Sequence, residues 1–319
     1  MLARRTLRSR VAKCSTYIST RCLSSITILP DASVQTFREQ AFAADVPALL
    51  PRKSFEDLPA VQKWFLKDPI RIALNRSYLS RYGSAIVPIE ISNNEQFSRT
   101  EQSLSFFLEC VNASSSTFDT RPNRYFSAYV PNARAIKRTK RCNDFFSAST
   151  LTAPTARTYL AQAAIADLPQ GLRDDVPIPK LVLAAGKGDI YDSSIWLGEA
   201  PTYTPLHRDP NPNLFVQLAG TKVVRLFRPN IGRSIFAKVQ EKIGASASAT
   251  MRGEEMMRGA EKKALEEEVW NDNEANEFRT AIWEAELSAG DGLFIPKGWW
   301  HSVKGVGAGM TGSVNWWFR

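Results

Sequence analysis

The chain has 319 residues, 44% of them hydrophobic and 10% aromatic, enough to bury a substantial core, which excludes global disorder. It contains no run of about 18 uncharged apolar residues, so no transmembrane helix is predicted. Arg4, Arg5, Arg8, Arg10, Lys13 and Arg21 all precede the first acid, Asp31; they carry six of the nine net positive charges, so a chain-wide nucleic-acid footprint is not supported.

Residues 1–25 are Arg-rich, Ser/Thr-rich and free of acids, and they lack the apolar core of a secretory signal. That composition predicts a mitochondrial transit peptide, with a disordered basic tail or a nuclear signal as alternatives. Residues 26–155 read as a mixed helical lead-in followed by an irregular basic loop. Phe37 to Leu50 and Ser54 to Lys67 are helical or mixed segments around Pro51, and Ala85 to Ile91 has the pattern of a short strand. Gln102 to Val111 places Leu104, Phe107 and Leu108 at helical spacing. Residues 112–156 hold Ser/Thr/Asn clusters and a basic run of Arg134, Lys137, Arg138, Lys140 and Arg141. A solvated loop is the first reading of that run, and a docking patch for RNA or an acidic protein segment the second. Cys14, Cys22, Cys110 and Cys142 show no Cys-x-x-Cys spacing, so neither a zinc site nor a disulfide framework is predicted, and the thiols are expected to be inert in a reduced compartment.

From Lys180 the chain becomes strand-rich. Strands are predicted at Lys180–Ala185, Ser193–Leu197, Thr202–His207, Leu214–Leu218 and Thr221–Arg228, then at Ala281–Leu287, Gly292–Ile295, His301–Lys304 and Thr311–Phe318. Short strands divided by Gly, Pro and Asn turns suggest an antiparallel barrel or jelly roll. The interruption at 231–279 is charged and helix-prone, with acids and bases alternating from Arg258 to Trp270 along an expected exposed helix. It is read as an insertion between two barrel strands, a lid or edge cover.

The only two histidines are His207, in Thr204-Pro205-Leu206-His207-Arg208-Asp209, and His301, which closes Phe294-Ile295-Pro296-Lys297-Gly298-Trp299-Trp300-His301. Residues i and i+2 of a strand share a face, so His207 and Asp209 point the same way, with His301 arriving from another strand. Each histidine alone would be read as a satisfied structural residue. Two imidazoles and one carboxylate together form the facial triad that holds non-haem Fe(II) with open positions, whereas structural zinc prefers closed tetrahedral sets. Such iron needs a co-substrate, and Lys222 is a candidate to bind one that carries a carboxylate. Lys222, Val224 and Leu226 share one face, Val223, Arg225 and Phe227 the other, and alternation does not say which is inward.

The run from Tyr159 to Trp317 resembles the JmjC (cupin-like) Fe(II)/2-oxoglutarate oxygenases. The resemblance is carried by Tyr159-Leu160-Ala161-Gln162, Trp196-Leu197-Gly198, the His207 segment, Asn213-Leu214-Phe215-Val216-Gln217, Gly298-Trp299-Trp300-His301 and Ser313-Val314-Asn315-Trp316-Trp317. It is most similar to the small hydroxylase branch, which includes the asparaginyl hydroxylase of the hypoxia pathway and protein arginyl hydroxylases. The resemblance implies a mainly β double-stranded β-helix (jelly-roll/cupin) barrel over 156–319. It implies His207, Asp209 and His301 as Fe(II) ligands, and 2-oxoglutarate and O2 as co-substrates. Lys222, Thr204, Tyr159, Asn213, Asn315 and Trp196 would line the 2-oxoglutarate pocket. The other paired tryptophans are read as core. The implied reaction is hydroxylation of a protein side chain with release of succinate and CO2. N-methyl-lysine demethylation, tRNA hydroxylation and a non-catalytic binding module are the alternatives. The dimerisation helices of the hypoxia-type enzyme have no counterpart after the last strand, which leaves monomer or dimer open.

Overall fold

The structure, a computed structural model, describes residues 24–66, 68, 71–92, 97–116, 157–245 and 257–319. The leader to residue 23 and the basic run Arg134, Lys137, Arg138, Lys140 and Arg141 lie outside the described residues. The lead-in holds the short strands β1 (Ser24–Ser25), β2 (Thr27–Ile28), β3 (Ala48–Leu49), β4 (Phe65–Leu66) and β5 (Ala73–Leu74), then β6 (Ile86–Ser92) and β7 (Phe97–Ser103). Its helices are α1 (Val34–Phe37), α2 (Pro59–Lys63), α3 (Arg76–Leu79) and α4 (Leu104–Ser116). Strand β8 (Arg157–Ala164) and helices α5 (Gln170–Asp174) and α6 (Lys180–Ala184) follow. Eight further strands come next: β9 (Ile190–Glu199), β10 (Thr202–Arg208), β11 (Asn213–Ala219), β12 (Thr221–Phe227), β13 (Trp283–Leu287), β14 (Gly292–Ile295), β15 (Trp300–Val306) and β16 (Met310–Phe318). Helices α7 (Pro229–Lys242) and α8 (Gly259–Trp270) separate β12 from β13.

Those eight strands pair in a nested antiparallel series, β9 with β16, β10 with β15, β11 with β14 and β12 with β13. A chain folded back on itself in this order, with successive strands dealt to two sheets, is the jelly roll expected from the sequence. One sheet runs β1-β13-β12-β15-β10 and the other β2-β3-β14-β11-β16-β9-β8-β6-β7. Val224, Leu226, Ala285 and Val303 of the first sheet meet Phe215, Leu293 and Ile295 of the second, filling the space between them.

Both sheets are also covered on their outer faces. The lead-in packs Trp64, Leu104 and Phe107 in one cluster with Leu214, Val216, Val314 and Trp316. Strand β11 is therefore buried at every position, which explains its nearly unbroken apolar sequence. The insertion covers the five-stranded sheet with Ile235, Phe236, Val239, Leu265 and Val269, packed against Leu206, Phe227 and Trp300. Arg225 fastens it: the guanidinium binds Glu284, Asp272 and the Val269 carbonyl, and stacks 4.7 Å from the Trp270 ring.

Three expectations are revised, and one further segment gains a structure. Lys180–Ala185 is not a strand: Pro179 opens the short helix α6, which buries Leu181, Val182 and Ala185 along one side. The run is apolar enough for either structure, and in the fold it docks beside Arg38, which donates to the Ala185 carbonyl. Helix α8 is not simply exposed, since Ala264, Leu265 and Val269 are buried beneath its charged outer side. The Tyr159 segment, not assigned a structure from its pattern, is strand β8 and joins β6 to β9. Cys110 is disulfide-bonded rather than an inert thiol, which residue spacing does not reveal.

Candidate metal centre

Strand β10 carries His207, with Asp209 just past its end, and β15 carries His301 directly across the ladder, since His207 and His301 are Cα partners. The register of β10 shifts between Thr204 and His207, at Pro205, which has no N–H to give to the ladder. Ligand-type atoms of His207, Asp209 and His301 all lie within 4.8 Å of one another, a span that a single cation can bridge. Asp209 Oδ1 is 3.9 Å from His207 Nε2, and Asp209 Oδ2 is 3.6 Å from His301 Nε2.

The backbone fixes which nitrogen each imidazole offers. His207 Nδ1 lies 2.8 Å from the Pro205 carbonyl and His301 Nδ1 lies 3.2 Å from the Trp299 carbonyl. A carbonyl only accepts, so each Nδ1 carries a proton, which leaves Nε2 as the nitrogen each ring can offer a metal. Burial, followed by the neighbouring His207, pushes His301 down to about 4, so it is neutral at pH 7 as a metal ligand must be. Burial would raise the Asp209 carboxyl. The two imidazoles and the hydrogen bonds from Trp317 and Asn213 outweigh it and hold Asp209 below its usual value.

The cluster opens into a cavity of about 50 Å³. Tyr159, Trp196, Thr204, Asn213, Lys222 and Asn315, the six residues assigned from the sequence to the co-substrate, all line it together with the three triad residues. Lys222 faces inward, settling the question alternation left open, and is 3% exposed. Its ammonium donates to Ser313 Oγ at 2.7 Å and Tyr159 Oη at 3.4 Å, and lies 5.4 Å from the Phe215 ring. Among the described residues no carboxylate pairs with it. Burial alone pushes it down to about 7. Burial, followed by Glu90, raises the Tyr159 phenol, which therefore keeps its proton and can donate. Gly198 makes room for this ring, since a Cβ there would overlap Tyr159.

Four lining residues had escaped the sequence reading: Phe215, Val303, Ser313 and Trp317. Phe215 and Ser313 lie two positions from Asn213 and Asn315 on their strands, so period-two alternation from those asparagines would have found them. Trp317, read as core, is half-buried and donates its indole N–H to Asp209 Oδ2 at 2.8 Å. Beyond Tyr159, a second and larger cleft runs between β8, the β9–β10 turn and α8, with Glu90, Glu199 and Glu266 facing Arg157, Lys262 and Lys263.

A family model described as a cupin-like domain matches residues 34–319. A lysine-specific demethylase of Arabidopsis thaliana is 30% identical over 167 residues, which are 52% of this chain and 35% of that protein. Lysine-specific demethylase 8 of Danio rerio is 28% identical over 162 residues, 50% of this chain and 36% of that protein. Jumonji C domain-containing protein 5 of Drosophila melanogaster is 24% identical over 305 residues, 95% of this chain and 61% of that protein. The chain thus spans between about a third and three-fifths of the length of these relatives.

Proposed function

The chain belongs to the cupin-like domain family, and from that premise we propose that it is an Fe(II)- and 2-oxoglutarate-dependent dioxygenase that hydroxylates a protein side chain. One observation carries the reading: a two-histidine, one-carboxylate cluster opens into the same cavity as Lys222, a buried amine that has hydroxyl partners but no counter-ion among the described residues.

The residues fit both groups. Two imidazoles and a carboxylate gathered at one side of a cavity match the 2-His-1-carboxylate donor set of non-haem Fe(II). A buried ammonium without an anion is costly, and a dicarboxylate entering the cavity would supply one. His207, Asp209 and His301 would hold the metal, and Lys222, with the Tyr159 and Thr204 hydroxyls, would hold the far carboxylate of 2-oxoglutarate. With both bound, the metal supplies the chemistry that converts 2-oxoglutarate and O2 to succinate and CO2 and places one oxygen atom on a substrate C–H bond.

The chain's own contribution is positioning. The Pro205 and Trp299 carbonyls aim the two Nε2 lone pairs at one point. Lys222 and the triad sit at separate places in one cavity, so a ligand spanning them is oriented before reaction. Phe215, Val303 and Trp196 give the cavity apolar and aromatic walls that limit water.

Removal of an N-methyl group from lysine by the same chemistry is a second reading, favoured by relatives that are named lysine-specific demethylases. Hydroxylation of tRNA would draw on the basic run from Arg134 to Arg141, and a non-catalytic module would have no use for an intact triad with Lys222. The test is anaerobic Fe(II) titration with 2-oxoglutarate, then succinate release in air, for the unaltered protein, His207→Ala and Lys222→Ala. A visible charge-transfer band and succinate, both lost in His207→Ala, support the oxygenase. Formaldehyde from methyl-lysine peptides would favour demethylation, and failure to bind either component would favour a non-catalytic module.

A further inference from the structure

The triad leaves a choice at Asp209, because both of its carboxylate oxygens approach an imidazole. A carboxylate can hold a cation through one oxygen or through both. Two-oxygen chelation would consume a position that the co-substrate or O2 needs.

The surroundings treat the two oxygens differently. Oδ2 accepts from Trp317 Nε1 at 2.8 Å and from Asn213 Nδ2 at 3.0 Å. Oδ1 accepts no hydrogen bond among the described residues. Each carboxylate oxygen has two lone-pair sites, so the two donors occupy those of Oδ2 and leave those of Oδ1. Asn213 cannot turn over to release it. An ionised carboxylate only accepts, so Asn213 must present its N–H, and its own Oδ1 is held by Asn315 Nδ2 at 3.1 Å. Asn315 is 5% exposed, and the relay runs one way from β16 through β11 to Asp209.

We propose that Trp317 is a positioning residue: with Asn213 it engages Oδ2 of Asp209, so that Oδ1 alone coordinates the metal. The inference rests on the metal reading of the triad. Its physical content is that the one N–H of the indole, not the bulk of the ring, is what the site uses.

The test is a Co(II) titration followed by visible absorption for the unaltered protein, Trp317→Phe and Asn213→Ala, with near-ultraviolet circular dichroism to confirm folding. Phe keeps an aromatic ring and removes the donor. The expected result for Trp317→Phe is a changed Co(II) ligand-field spectrum and a Kd raised about tenfold, the usual scale for losing a group that orients a ligand. Asn213→Ala should shift the spectrum in the same sense. An unchanged spectrum and Kd in folded Trp317→Phe would make Trp317 packing alone and overturn the proposal. No Co(II) binding by the unaltered protein would instead sink the metal reading. The metal-minus-apo infrared difference spectrum of the unaltered protein gives a check that needs no variant. One-oxygen coordination gives a wide splitting of the carboxylate stretches, and the narrow splitting of chelation would also overturn the proposal.

Discussion

His207 and His301 are cross-strand partners between β10 and β15, and their imidazole rings lie 4.2 Å apart, tilted by 53°. Both Nε2 atoms face Asp209, at 3.9 and 3.6 Å from its oxygens, an arrangement that a shared cation would hold together. Metal should therefore stabilise the fold by mass action: Co(II) at about 100 times its Kd adds about 2.7 kcal/mol. Calorimetric Tm should rise with Co(II) and fall back with a chelator. His301→Ala should show no such rise, and a metal-independent Tm in the unaltered protein would contradict the site.

Lys222 makes the binding of 2-oxoglutarate pH-dependent. Burial holds it down to about 7 in the free protein, so above that pH it is largely neutral. A bound carboxylate favours the charged form, which raises the value again. Binding between about pH 7.5 and 9 should then take up nearly one proton and weaken as pH rises, with no uptake below about pH 6. Calorimetry in buffers of different ionisation enthalpy reads this directly. Lys222→Met should abolish the uptake and lose about 2 kcal/mol of binding; uptake that persisted in that variant would assign the proton elsewhere.

Gly232, in the first turns of α7, touches the Trp300 ring, and an added Cβ would overlap it. Trp300 lies under the insertion and immediately precedes His301. Gly232→Ala should cost about 3 kcal/mol by overpacking, seen as a lower urea midpoint. Co(II) affinity should fall with it, because the displaced Trp300 is the strand neighbour of His301 on β15. Lost stability with undisturbed Co(II) binding would mean that the insertion is not a buttress of the site.

Asp175 ties the lead-in to the barrel's approach. Its buried carboxylate accepts from Lys63 Nζ at 2.7 Å, Trp64 Nε1 at 2.8 Å and Tyr78 Oη at 2.6 Å. Asp175→Ala leaves the buried Trp64 N–H without an acceptor and should destabilise by about 2 kcal/mol, discounted because Lys63 remains half in water. Equilibrium unfolding measures the loss, and Co(II) binding by the folded fraction should remain, since none of these groups reaches the triad.

The site was legible where local geometry speaks. Two-residue spacing along an extended chain puts His207, on β10, and Asp209, just past its end, on one side, and a chain with two histidines has few ways to build a triad. Turn residues between short strands likewise foretold the jelly roll. Gly298, at φ +75°, is one example, closing the corner just before β15.

What the sequence could not decide is which side of an element faces in. On β12, Lys222, Val224 and Leu226 oppose Val223, Arg225 and Phe227, and most of both sets are buried because the barrel interior lies on one side and the insertion on the other. The same ambiguity let Lys180–Ala185 read as a strand. It also hid Trp317, whose polar role depends on Asp209 arriving from a strand about a hundred residues away. By itself the sequence determined which residues share a face and where the chain turns, because those follow from backbone geometry over a few residues. Only the tertiary structure decided which faces are covered and which buried donors meet which acceptors, because burial and pairing are properties of the packed surroundings.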